Sequence, residues 1–88
     1  MKEQEVLDKA IKTYGNDAQI LLAIEEMSEL TTELCHSSRG RKHKIPEEIA
    51  DVKIMMKQLE QIFDCEKEVE IMNVFKVRRL EGRLKNER

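Results

Sequence analysis

The sequence predicts an all-α domain built like a four-helix bundle. Apolar residues recur at helical spacing, strand signals are missing, and helix breakers are few, with three Gly and one Pro among 88 residues. This length predicts one domain, residues 1–88. A domain this small buries only about 60 to 65% of its unfolded surface, so it is marginally stable alone. We therefore expect a homo-oligomer, either a dimer or a tetramer.

The first two helices are separated by a glycine. The first is predicted from about Lys2 to Thr13, closed by Gly15, and is short enough to act as a cover. Asn16 or Asp17 is expected to cap the second helix, which continues to the breakers at Ser37–Gly40. Its main apolar stripe consists of Ile20, Ala23, Ile24, Met27, Leu30, Thr31 and Leu34.

The third and fourth helices follow a basic loop. Pro46 suits the first turn of the third helix, which is predicted to reach Phe63. Asp64 is the expected N-cap of a fourth helix that ends at about Lys85. The apolar stripe of the third helix consists of Ile49, Val52, Met55, Met56, Leu59, Ile62 and Phe63.

Composition excludes several classes of function. The net charge of −2 gives no electrostatic case for nucleic-acid binding, and the three aromatic residues, with no Trp, argue against a base-stacking platform. Cys35 and Cys65 lack metal-type spacing, and the sequence shows neither a signal peptide nor an apolar run of membrane length. We expect a cytoplasmic protein with reduced thiols and with no membrane or nucleic-acid partner.

Two pairs of carboxylates at i, i+3 spacing are the most informative feature. Glu26 and Glu29 form one pair on the second helix, while Glu48 and Asp51 form another on the third. Glu48 falls inside the apolar stripe, where a carboxylate is costly unless it is paired or bound to a metal. Glu26, Glu29 and Glu33 lie roughly opposite the main stripe of the second helix, and Leu22 shares their face. This pattern suits a central helix covered on both faces, in a bundle or in a dimer.

Carboxylates that share one groove favour a cation. At 5 Å and an effective dielectric constant of 20, each pair repels by about 3 kcal/mol, and a divalent ion reverses that energy. A donor set of oxygens alone favours Mg²⁺, or Mn²⁺ in its place, over Zn²⁺. Such spacings also arise by chance among 18 acids, so solvated or capping acids are the alternative.

The run Glu25-Glu26-Met27-Ser28-Glu29, followed after eighteen residues by Glu48-Ile49-Ala50-Asp51, resembles the EExxE and ExxD signature of the MazG-like nucleotide pyrophosphohydrolases. The likeness covers roughly Tyr14 to Lys85. It implies Mg²⁺-dependent hydrolysis of a nucleoside or deoxynucleoside triphosphate to a monophosphate and pyrophosphate. Phosphoryl transfer of this kind relies on positioning and charge stabilisation, so it requires no nucleophilic side chain.

The resemblance also implies roles for individual residues. Glu26, Glu29, Glu48 and Asp51 match the Mg²⁺ ligands and are the expected catalytic residues. Glu25 matches the first glutamate of the motif and joins the catalytic set, as a ligand or as a base that orients water.

Basic residues are expected to hold the triphosphate. Lys76, Arg79 and Arg83 share one face of the predicted fourth helix and correspond to the phosphate-binding residues of the family, with a solvated helix end as the alternative. The loop Arg39–Lys44 could also reach the phosphates, or could be only a polar connector. We expect the fourth helix, from the same chain or a neighbour, to close the acidic groove.

The base-binding residues are less clearly marked. The Trp with which many relatives hold the base is missing. Gln19 is the expected substrate-binding residue here, and Tyr14 and Met55 are further candidates for contact with the base. Each of the three could instead have only a structural role.

Two other functions remain open at this point. A non-catalytic helical interaction module would use its acids only for solubility. A di-iron carboxylate bundle would use inward glutamates with ExxH pairs, of which Glu33 and His36 form one.

Overall fold

The computed structural model describes residues 1–87, which form four helices and no strand. In chain order these are α1 (Glu3–Tyr14), α2 (Asn16–Ser38), α3 (Ile45–Ile62) and α4 (Glu66–Lys85). The predicted all-α fold class is confirmed, and the predicted helix ends lie close to the observed ones. Within residues 1–87, no helix combines the length and the apolar character that a membrane crossing requires.

The α2–α3 hairpin is the centre of the fold. These two helices make the most extensive contact, and α1 packs against both of them, as expected for a covering helix. The buried hydrophobic residues are Leu7, Ala23 and Met55, one from each of the three helices. The core is therefore small and lies where α1 covers the hairpin.

The inner face of α2 differs from its main apolar stripe. Gln19 and Ala23 are buried, and Glu26 is partly buried, whereas Ile24 and Leu34 are about half exposed. Within the single chain α2 is therefore not covered on both faces, and cover by a second copy in a dimer stays a prediction. Ala23 of the apolar stripe is therefore part of the packed face of α2, while other residues of the stripe face outward.

A single glycine joins α1 to α2. Gly15 has φ 92° and ψ 157°, and its N–H donates a hydrogen bond to the carbonyl of Ile11. It ends α1 and also occupies the N-cap position of α2, so the predicted cap at Asn16 or Asp17 is wrong. The chain reverses direction within one residue, and the positive φ that this requires strongly favours glycine.

The turn between α3 and α4 also differs from the prediction. Pro46 lies in the first turn of α3 as predicted, and the helix ends one residue short of Phe63. Asp64 is not the N-cap of α4, because it lies in the turn with φ 49° and Cys65 occupies the cap position. The turn uses the left-handed conformation that Asp tolerates better than most residues.

α4 stands apart from the other helices. It packs against α3 alone, and all of its residues are exposed, including Phe75 at 58%. Within one chain α4 therefore does not cover the hairpin, and three helices rather than four form the packed unit.

Candidate active site

Three carboxylates converge between α2 and α3. One oxygen each from Glu26, Glu29 and Glu48 lies within 4.8 Å of the others. The i, i+3 spacing places Glu26 and Glu29 on the same side of α2, and Glu48 faces them from the start of α3. Glu48 is only 8% exposed, which confirms its predicted inward position. We call these three residues the carboxylate cluster.

Asp51 lies beside the carboxylate cluster, one turn further along α3. Its charge and its hydrogen bonding contribute to raising the pKa of Glu26, so the two side chains are close. Because α2 and α3 run antiparallel, Glu29 lies opposite Glu48, and Glu26, three residues earlier on α2, lies opposite Asp51, three residues later on α3. All four predicted metal ligands therefore lie at one level of the hairpin.

Burial and mutual repulsion raise the pKa of two of these acids. For both Glu26 and Glu48, loss of solvent is the largest cause, followed by the negative charge of Glu29. Asp51 adds a further negative charge to each. Ionising the site without a cation is therefore unfavourable, and a bound cation would reverse this energy.

Two buried oxygens of the cluster lack a hydrogen-bond donor. The Oε2 atoms of Glu26 and Glu48 are enclosed, and among residues 1–87 no group donates to them. Buried carboxylate oxygens are normally satisfied by donors, by water or by a metal. These unpartnered acceptors are compatible with binding of a cation between α2 and α3.

Glu33 continues the acidic side of α2 towards the loop. Its Oε2 accepts a hydrogen bond of 3.2 Å from the backbone N–H of Lys44 and lies 3.4 Å from Nδ1 of His36. Glu33 thereby connects the end of α2 to the residue before α3. It stabilises the hairpin and adds a smaller repulsion to Glu48.

Glu25 lies outside the carboxylate cluster. It is exposed and lines a shallow opening together with Tyr14, Gln19 and Leu21. Adjacent helical residues point about 100° apart, which explains why Glu26 turns inward and Glu25 does not. Its assignment as a catalytic residue stays a prediction.

An open cavity of about 480 Å³ adjoins the carboxylate cluster. Glu26 and Asp51 form part of its wall, and the remaining wall is mainly apolar and comes from α1, α2 and α3. The three base-contact candidates, Tyr14, Gln19 and Met55, all line it. Its volume falls within the range of small-molecule sites, which is about 300 to 1,000 Å³.

Sequence reasoning missed the contribution of Gln58 to this cavity. Gln58 is 3% exposed and lines the wall near Met55, which lies three positions earlier on the same side of α3. A polar residue at an inward position of the helix was the available signal. The role of α1 as a wall could not be read from periodicity, because it depends on how the helices pack.

The predicted phosphate-binding residues of α4 lie elsewhere. Lys76, Arg79 and Arg83 are exposed, and none of them lines the cavity or joins the carboxylate cluster. Lys76 instead borders a groove on the surface of α4 with Met72. The single chain therefore does not bring these cations to the acids.

Comparison with known proteins found no matching family model, curated protein or solved structure. The resemblance to the MazG-like pyrophosphohydrolases stays a prediction based on the motif residues. The geometry of the carboxylate cluster and its cavity provides separate grounds for a function.

Proposed function

We propose that the protein is a Mg²⁺-dependent hydrolase that cleaves nucleoside or deoxynucleoside triphosphates to monophosphates and pyrophosphate. The observation that carries this proposal is the convergence of Glu26, Glu29 and Glu48 within 4.8 Å at the edge of a cavity of about 480 Å³. The motif resemblance adds the reaction type.

The donor set fits a hard divalent cation. Every candidate ligand is a carboxylate, and two of the oxygens are buried without a donor among the described residues. Glu26, Glu29, Glu48 and Asp51 would hold Mg²⁺, which commonly keeps water and phosphate oxygens in its remaining positions. When bound, the ion would neutralise phosphate charge and lower the pKa of an attacking water.

The order of features along the hairpin favours a nucleotide. The cavity extends from the level of Gln19, the carboxylates lie about two to three turns further along α2, and the basic loop Arg39–Lys44 lies at the end. A base in the cavity would place its phosphates beside the carboxylates. The distal phosphates would then point towards the basic loop.

A second copy of the chain would complete this arrangement. Among residues 1–87 only three hydrophobic residues are buried, while apolar side chains such as Leu34 and Phe75 remain uncovered. Association through these faces of α2 and α4 would bury them and stabilise a marginal domain. It would also allow Lys76, Arg79 and Arg83 of one copy to approach the phosphates held by another.

Pyrophosphate release tests the proposal. Wild-type protein with Mg²⁺ is expected to release pyrophosphate from one or more members of a nucleotide panel. Glu29→Gln and Asp51→Asn should each lower kcat/KM by about 100-fold or more, because each substitution removes a carboxylate ligand of the ion that would position the phosphates. Glu70→Gln, an exposed substitution on α4, is the matched control. Equal activity in all four proteins would contradict the site.

A non-catalytic helical interaction module is the second candidate, and the exposed α4 favours it. This function predicts no Mg²⁺-dependent rise in thermal stability. A di-iron bundle has only the proximity of Glu33 and His36 in its favour. Visible absorbance after iron loading would support that assignment.

A further inference from the structure

Gln58 is a buried polar residue whose side-chain oxygen has no hydrogen-bond donor among residues 1–87. Its side chain lines the cavity, and the residue is 3% exposed. A buried amide oxygen without a donor is costly, and Met or Leu would fill similar space without that cost. The residue therefore needs a reason that intramolecular packing does not supply.

Gln61, one turn later on α3, provides a contrast. Its Oε1 is also buried and unpartnered, but its Nε2 donates to Oδ1 of Asp8 on α1. Gln61 thus connects α3 to α1 and borders a different depression. Gln58 makes no equivalent bond within the described part of the chain and borders the cavity instead.

We infer that Gln58 recognises the base of the bound nucleotide, by hydrogen bonds from its carboxamide to the edge of a purine or pyrimidine seated in the cavity. This inference rests on the proposed function for its nucleotide ligand. A carboxamide offers a donor beside an acceptor, and a half-turn of the amide exchanges them at the cavity wall. Since every base has a donor next to an acceptor, Gln58 supplies affinity for several bases.

The position of Gln58 fits this role. It lies seven residues after Asp51 on α3, which corresponds to about 10 Å along the helix axis. That separation is comparable to the span of a nucleoside between its base edge and its 5′ end. Gln19, at 5% exposure, reaches the same cavity from α2 and offers a second carboxamide.

Binding of free nucleosides, measured by calorimetry or NMR in EDTA at pH 8, tests the inference apart from hydrolysis. Gln58→Met preserves the side-chain volume and removes the amide, so it should weaken nucleoside binding by about tenfold. The matched variant Gln61→Met should leave nucleoside affinity unchanged. Gln58→Glu offers acceptors only, so it should shift preference towards guanosine, whose edge has two adjacent donors, by about tenfold.

The inference is overturned if wild-type protein binds no nucleoside, or if Gln58→Met binds nucleosides as tightly as wild type does. It is also overturned if Gln58→Met and Gln61→Met weaken nucleoside binding equally. If the carboxylate introduced in Gln58→Glu prevents folding, the comparison of Gln58→Met with wild type still decides the question. Pyrophosphate release is assayed separately. Nucleoside binding that depends on Gln58, together with no hydrolysis, would overturn the proposed reaction and support the role of Gln58.

Discussion

Replacing Glu48 by Gln separates the stability of the empty site from its affinity for a cation. Burial, reinforced by the charges of Glu29 and Asp51, raises the pKa of Glu48. The folded protein therefore holds this proton more tightly than the unfolded chain does. Ionising Glu48 in the folded state therefore lowers the free energy of unfolding. This loss of stability is absent below the unfolded pKa, near 4.5, and it grows as pH rises through the raised folded pKa.

This sign predicts the behaviour of the Glu48→Gln variant. At neutral pH without metal, it should be at least as stable as wild type, because a neutral amide replaces a repelled buried charge. The new N–H groups can also donate to the carboxylates of Glu26 and Glu29. The stability difference between variant and wild type should increase from pH 4 to pH 7.

Mg²⁺ should stabilise wild type more than it stabilises Glu48→Gln, which is opposite to the order of stability expected without metal. With about 10 mM Mg²⁺ and a dissociation constant of about 1 mM, binding stabilises wild type by about 1.4 kcal/mol. For a domain of this size, that corresponds to a Tm increase of roughly 6 to 11 °C. Glu48→Gln loses a ligand, so it should show little or none of this increase.

Thermal unfolding followed by circular dichroism, in EDTA and in Mg²⁺, measures both effects. Glu70→Gln on α4 should behave as wild type in each buffer, because it removes an acid outside the site. The reasoning is refuted if Glu48→Gln is destabilised in EDTA. It is equally refuted if that variant keeps the full Mg²⁺-dependent increase in Tm.

Other substitutions test the fold and the assembly. Gly15→Ala forces a Cβ into a φ of 92° and should cost about 1 to 2 kcal/mol in urea unfolding; an unchanged midpoint would contradict the turn. Met55→Ala should cost about 2 to 5 kcal/mol, whereas Lys57→Ala, which removes an exposed 2.8 Å ion pair with Glu3, should cost under about 1 kcal/mol. Phe75→Glu should convert an oligomer to monomers in sedimentation; an unchanged distribution would exclude α4 from the interface.

Local periodicity predicted much of the helical fold and the inward position of Glu48. The 3.6-residue repeat and the effect of Pro46 act within one helix, so the sequence contains them directly. The predicted helix caps were wrong because the short turns at Gly15 and Asp64 reverse the chain within one to three residues. Backbone conformation at those positions outweighs the usual capping preference of Asn and Asp.

Features that depend on packing between helices were less predictable. Tyr14, Gln19 and Met55 line the observed cavity, although the sequence left a purely structural role open for each of them. Gln58 was missed because its environment is set by α1, which is far from it in sequence. The outward face of α2 and the isolation of α4 likewise depend on which helices meet, and periodicity does not specify this.

A crystal structure of the protein soaked with Mn²⁺, with anomalous scattering to locate the ion, tests the central claim most directly. The predicted result is one anomalous peak between α2 and α3, coordinated by carboxylate oxygens at about 2.0 to 2.3 Å. The expected ligands are Glu26, Glu29, Glu48 and Asp51. A peak elsewhere, or carboxylates that keep their positions with no ion between them at saturating Mn²⁺, would contradict a metal-dependent function at this site.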